Sequence, residues 1–219
     1  MDRSFRWGMV WFIFSEVMFF SAFFGALFYT RVLSVPWLGG DSVTIVFLWP
    51  DFQAVWPLLT TPDMSITGLE SKYMAIKDVI PAWGVPGANT AILLSSGATV
   101  TFAHWALKKG NRSALCWWLA ATVLLGFFFV YLQATEYGHA YHELDLTLNS
   151  GIYGSTFFML TGFHGFHVCL GAIILTVMLL RGLRGHFKPD DHFGFEAGSW
   201  YWHFVDVVWI CLVAFVYVM

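Results

Sequence analysis

Charge is what this chain has least of. Asp, Glu, Lys and Arg make up 11% of its 219 residues, where a soluble domain carries about 25%. That shortage excludes an ordinary solvated surface. The net charge of −3 leaves no basic face for a nucleic-acid partner. Cysteine is scarce too: Cys116, Cys169 and Cys211 each stand alone in an apolar run. With no CxxC pair and no metal-ligand spacing, they read as small buried hydrophobes. Proline is nearly missing outside one stretch, with six of the seven falling between Arg31 and Gly87. A cleavable leader is not visible, because the first apolar run is too long and lacks a small-residue cleavage site. The chain shows no internal repeat.

What it has instead is apolar and aromatic mass. Hydrophobic residues make up 58% and aromatics 20%, with 23 Phe and 12 Trp, more than one soluble core of this size can hide. A membrane span needs about 20 mostly apolar residues. Five stretches qualify, at about 8–29, 88–107, 114–135, 152–180 and 196–219. The expected fold is therefore all-α, a polytopic membrane helix bundle forming a single membrane domain over 1–219. The segment 31–87 lacks sustained apolar periodicity and reads as a long extracytoplasmic loop. Its Trp37, Trp49, Trp56 and Trp83 suit a headgroup-level or protein-covered surface.

Orientation follows from the basic residues. Arg3, Arg6, Lys108, Lys109, Arg112, Arg181, Arg184 and Lys188 fall on one side of a five-span chain. Arg31, Lys72 and Lys77 fall on the other, beside an acidic turn with Glu143 and Asp145. The positive-inside rule places the N-terminus in the cytoplasm or matrix and the C-terminus outside.

Against that background each intramembrane ionisable group is a functional or assembly candidate, since a charge at a helix centre costs about 2.5 to 3.5 kcal/mol. Glu16 lies about two turns into the first span, with Phe12, Ile13, Phe19, Phe20 and Phe23 as its helical neighbours. None of these can pair with it. Glu16 must find a partner on another helix or in a lipid headgroup, or keep its proton. In the fourth span, GFHGFH puts His164 and His167 on one face beside a stripe of small residues, Thr161, Gly165, Cys169 and Ala172, the pattern that lets membrane helices pack closely. Two histidines one turn apart can hold a metal edge-on but cannot clamp both faces of one haem. A third ligand would have to come from His104 or His203. The plainer role is interhelical hydrogen bonding, with Ser95, Ser96, Thr99 and Thr101 of the second span as partners.

The run HFGFEAGSWYWHFVDVVW, His192 to Trp209, sets two acids and two histidines among aromatics at the head of the last span. Glu196, Trp200 and His203 share a helical face, and Asp206 lies one turn beyond His203, close enough to pair with it. At 1.5 Å per residue, Asp206 sits about 10 to 15 Å inside the helix start. Gln133 and Glu136, at the end of the third span, are assigned to capping or loop anchoring. His139, His142, His186 and His192 read as loop or interface residues.

These motifs carry a resemblance. RWGMVWFIFSEVMFF (Arg6 to Phe20), LQATEYGHAY (Leu132 to Tyr141), SGIYGSTFFMLTGFHGFHV (Ser150 to Val168) and the His192–Trp209 run, in this order, resemble subunit III of cytochrome c oxidase. The likeness covers nearly the whole chain apart from the long loop. It implies an all-helical accessory subunit that binds catalytic subunit I, shares a complex with subunit II, and meets cytochrome c only through that complex. It further implies no catalytic residue, cofactor or metal in this chain, haem and copper in the partner subunits, and phospholipid held in a cleft between helices. By position Glu16 matches the family's intramembrane carboxyl. His164, His167, Glu196, His203 and Asp206 match its other polar signatures, as lipid-binding or intramembrane polar residues. The long first loop resembles bacterial members, which implies the bacterial inner membrane rather than the mitochondrial one.

One departure from the pattern matters. Members of the cytochrome c type have seven spans, and this chain begins where their third would start. A truncated chain, a separate two-helix fragment acting as a partner, and a true five-span protein each explain this. Quinol oxidases have a five-span subunit III and are the rival within the family. Two readings from other classes remain: an independent proton or ion transporter, which would show repeats or broken helices, and a haem-binding electron carrier, which needs histidines facing each other across two helices.

Overall fold

In the computed structural model, residues 2–41, 47, 49, 52–63, 76–187 and 192–218 are described. Lys72 and Lys188, counted above for orientation, lie outside them. The described residues form helices and connections without strands, and five helices are long and apolar enough to cross a membrane. Helix is what a bilayer demands of such segments, because every backbone N–H and C=O must be satisfied within the segment itself.

Helix α1 spans Asp2–Phe28 and continues in π-helical turns over Tyr29–Ser34 and Trp37–Asp41, the last kinked at Gly40, whose φ is 140°. The segment 31–87 therefore begins as helix and not as loop. The wider turn carries the chain past Pro36, which would break an ordinary i→i−4 ladder. The helix also starts earlier than its apolar run, because Arg3 and Arg6 reach the interface on long apolar stems without breaking it. Helix α2, Val85–Lys108, takes Pro86 into its first turn, where the missing N–H costs nothing. Helix α3, Arg112–His142, opens at Asn111, whose Oδ1 accepts the Ala114 N–H at 3.1 Å, a side-chain cap. It runs a further two turns past Thr135, through residues assigned above to an interface. Helix α4 spans Gly151–Leu183. Its C-terminal carbonyls at Gly182 and Leu183 accept N–H groups of Arg112, a cation at the negative end of a helix. Helix α5 spans Phe193–Leu212 and continues as π-helix over Val213–Val218.

The chain groups into two compact units. The first comprises Met1–Val17, Pro81–Thr135 and Phe163–Met219, the second Met18–Ile80 and Glu136–Gly162. The first is built around Trp202, which is fully buried. Its Nε1–H donates to Ser96 Oγ of α2 at 2.9 Å. A Cβ at Gly126 of α3 or Gly171 of α4 would lie 2.7 or 2.8 Å from its ring. Both positions are glycine because the indole occupies the space a side chain would need. Trp209, two turns on along the same face, donates to Thr90 Oγ1 at 3.0 Å and meets Phe129 edge-on at 4.8 Å.

In the second unit, Tyr137 OH and Thr161 Oγ1 lie 2.6 Å apart. Lys77 Nζ pairs with Asp145 Oδ2 at 2.7 Å, and the Lys77 N–H donates to Leu144 O. The long connection is thereby tied to the acidic turn. Trp56 packs edge-on against Tyr153, and the Arg31 guanidinium lies over its ring. Trp83, in the first unit, is 90% exposed. The tryptophans of this segment divide between protein-covered and outward-facing roles.

Candidate functional site

The intramembrane ionisable groups of the first unit are brought into contact across helices. Glu16, which has no partner on its own helix, finds one on α4: its Oε2 lies 2.9 Å from His167 Nε2. The other ring nitrogen, Nδ1, donates to the Phe163 carbonyl of the preceding turn at 2.6 Å. Both ring nitrogens thus face oxygen acceptors. A neutral imidazole has only one N–H to give, so the contact with Glu16 carries a proton of its own, on the imidazole or on the carboxyl. Tyr201 of α5 closes the pair off, stacking on both Phe12 and His167. Of the alternatives open to Glu16, a partner on another helix is the one found, and it makes a proton-holding bridge between α1 and α4.

His164, one turn before His167, is buried and aims elsewhere. Its Nε2 lies 3.2 Å from Val205 O of α5, and its ring lies against Trp209 and Phe129. GFHGFH therefore does not present two ligands to one ion: one histidine serves α5 and the other α1. Nor are their partners the hydroxyls of α2. Ser96 serves Trp202, and Thr101 Oγ1 lies 3.4 Å from His203 Nε2. Ser95 and Thr99 bond back to carbonyls of their own turn, as hydroxyls in membrane helices do. Thr99 also meets Thr122 of α3 at 2.8 Å.

Along α5, Glu196 and Asp206 take different surroundings. Glu196 Oε2 pairs with Arg6 of α1 at 2.5 Å, while Oε1 faces His104 Nε2 at 3.8 Å and His192 Nε2 at 3.5 Å. Asp206 Oδ2 is 3.5 Å from His203 Nδ1, so the expected pair forms. Its carboxylate lies against Gly97 of α2, where any Cβ would collide with Oδ2. Its other oxygen has no hydrogen-bond partner among the described residues.

These contacts have a common sense. Glu16–His167 joins α1 to α4, His164–Val205 joins α4 to α5, Arg6–Glu196 joins α1 to α5, and Thr101–His203 joins α2 to α5. A model of the family described as cytochrome c oxidase subunit III matches residues 41–219. Relatives named cytochrome c oxidase subunit 3 from Oryctolagus cuniculus and Gallus gallus are each 44% identical to the chain over 216 residues. One from Dugong dugon is 43% identical over the same length. Each alignment covers 99% of this chain and 70% of the relative. The chain belongs to the cytochrome c oxidase subunit III family. It is a multi-pass membrane member, and its relatives are subunits of a respiratory-chain oxidase.

In this subunit III, sequence reasoning missed one polar contact. Asn89 of α2 is fully buried and its amide donates to Gln133 Oε1 of α3 at 3.4 Å. Gln133 and Glu136 are themselves buried within α3, not caps at its end. Asn89 carries no charge and does not stand out as an intramembrane ionisable group, and nothing within α3 alone points Gln133 toward α2. The amides at these two positions were the available signal.

Proposed function

We propose that this chain is an accessory, non-catalytic subunit III of a proton-pumping cytochrome c oxidase. In this reading it binds phospholipid and supports catalytic subunit I while that subunit reduces oxygen. The observation that carries it is the commitment of the intramembrane groups to helix–helix contacts. His164 and His167, the pair best placed to serve a redox centre, are engaged by Val205 and Glu16. Haem and copper are assigned to the partner subunits, with subunit II in the same complex and cytochrome c as donor, in keeping with the names of the relatives.

Two features support lipid and partner binding. Only 11% of the most apolar window of the first span is buried, against 50% for the last, so α1 offers most of its apolar surface to something outside the chain. An apolar cavity of about 370 Å³ lies among α1, α4 and α5, lined by Met9, Phe12, Leu170, Ile174 and Tyr201 among others. Its chemistry suits an acyl chain. The long connection favours the bacterial inner membrane as the location.

Affinity purification through a tag on this chain tests the reading. Subunits I and II should co-purify with haem and copper, and native mass spectrometry should show retained phospholipid. Difference spectra would separate a cytochrome c oxidase from a quinol oxidase by haem and copper content. A chain that purifies without oxidase partners, or a Soret band in the isolated chain, would overturn the proposal.

A further inference from the structure

We propose that His104, His192 and Glu196 form a divalent-metal site of the zinc class, which fastens the end of α2 to the start of α5. One donor atom from each lies within 4.8 Å of the others. None belongs to the His164–His167 motif; His192 and Glu196 stand four residues apart at the start of α5, and His104 joins them from α2. Seen from Glu196 Oε1, the imidazole nitrogens stand at 3.5 Å and 3.8 Å. Both separations are long for a hydrogen bond. They are close to the spacing of about 3.3 Å between neighbouring ligands of a tetrahedral ion with bonds of about 2.0 Å. A shift of a few tenths of an ångström closes these two edges.

The unmet donors point the same way. Among the described residues, His104 Nε2 and both ring nitrogens of His192 are shielded from solvent and meet no hydrogen-bond partner. Buried polar atoms are costly to leave so, and such groups call for a bound water or ion. Imidazole nitrogen is the commonest protein ligand for transition metals. Two of them with one carboxylate oxygen suit zinc far better than calcium or magnesium, which take oxygen shells.

The backbone holds the ligands in place. His192 is the residue before α5, and its carbonyl accepts the N–H groups of Phe195 and Glu196 at 2.9 and 3.1 Å. This fixes the turn that sets His192 and Glu196 four residues apart on one face. His104 arrives from the last full turn of α2 and packs against Phe195 at 5.7 Å. Arg6 already holds Glu196 Oε2, which orients the carboxylate and leaves Oε1 for the ion, as an outer-shell partner does. Arg6, and Lys108 one turn on from His104, oppose a cation here and select for one that bonds nitrogen strongly. Three protein ligands leave a fourth position for water. The site lies apart from the Glu16–His167 contact and does not depend on the accessory-subunit reading.

Zinc titration of the purified full-length chain, stripped with chelator in detergent, provides the test. One Zn²⁺ per chain should bind, with X-ray absorption showing two imidazoles and an oxygen at about 2.0 Å. Removing even an outer-shell partner weakens metal binding by about 10- to 100-fold. His104→Gln and His192→Gln should therefore each weaken binding by at least about tenfold. Exposed His186→Gln should leave it unchanged. His104→Cys keeps a ligand, and should retain the ion with a new sulfur scatterer at about 2.3 Å. That variant guards against a loss caused by misfolding. The absence of saturable binding, an absorption spectrum without imidazole, or equal weakening by His186→Gln would overturn the site.

Discussion

A single carboxyl decides how α1 is held. Glu16 and His167 share a proton across 2.9 Å, with the other imidazole nitrogen already engaged by Phe163 O. A residue at position 16 must therefore offer a hydrogen-bond partner, but it need not be charged. Glu16→Gln keeps the bond, because its amide can donate to a neutral imidazole, and should cost under about 1 kcal/mol. Glu16→Leu strands His167 Nε2 in an apolar setting and should cost about 1 to 3 kcal/mol. Thermal unfolding of both variants in the same detergent separates them. A Gln variant as unstable as the Leu variant would show that the carboxylate charge holds the helices together. The sequence made Glu16 conspicuous, since no i±3 or i±4 neighbour can pair with it. It could not name His167 as the partner, because nothing within one helix says which face a distant helix will meet.

At the level of the helices, packing turns on one large ring and two absent side chains. Trp202 fills the space at Gly126 and Gly171, with a Cβ at Gly171 falling 2.8 Å from Cε3, and anchors its indole N–H on Ser96. Overpacking of such a contact costs about 1 to 3 kcal/mol, so Gly171→Ala should destabilise the chain by that amount. Trp202→Phe introduced alongside should recover part of the loss, because the smaller ring vacates the clash. A double-mutant cycle by thermal unfolding measures this coupling. Simple additivity of the two substitutions would refute the close approach. The existence and order of all five helices were legible from apolar runs of bilayer length. Their ends were not. Arg3, Arg6, His139 and His142 made the flanks look like interface, yet α1 begins at Asp2 and α3 runs to His142. Helical hydrogen bonding is indifferent to side-chain polarity, and long side chains can reach water from within the helix.

For the whole molecule, contacts between segments far apart in sequence fix which ends of the spans share a side. Lys77 bonds Asp145, so the connection after α1 lies on the same side as the turn after α3. Arg6 bonds Glu196 and Arg112 bonds Gly182 O, which groups the N-terminal tail, the start of α3, the end of α4 and the start of α5. Within each unit these pairings match the alternation expected of five spans. Of the nine described Lys and Arg residues, seven lie at span ends that five-span alternation puts with the N-terminal tail, and the positive-inside rule expects such a side to be cytoplasmic. Alkaline phosphatase fused after the C-terminus should therefore be active outside the cytoplasm, while a fusion within the Lys109–Arg112 connection should be inactive. Activity at both positions would break the alternation of spans. Activity only at Lys109–Arg112 would keep the five-helix parity but reverse the orientation, and would mean that contacts with partner subunits outweigh the charge bias.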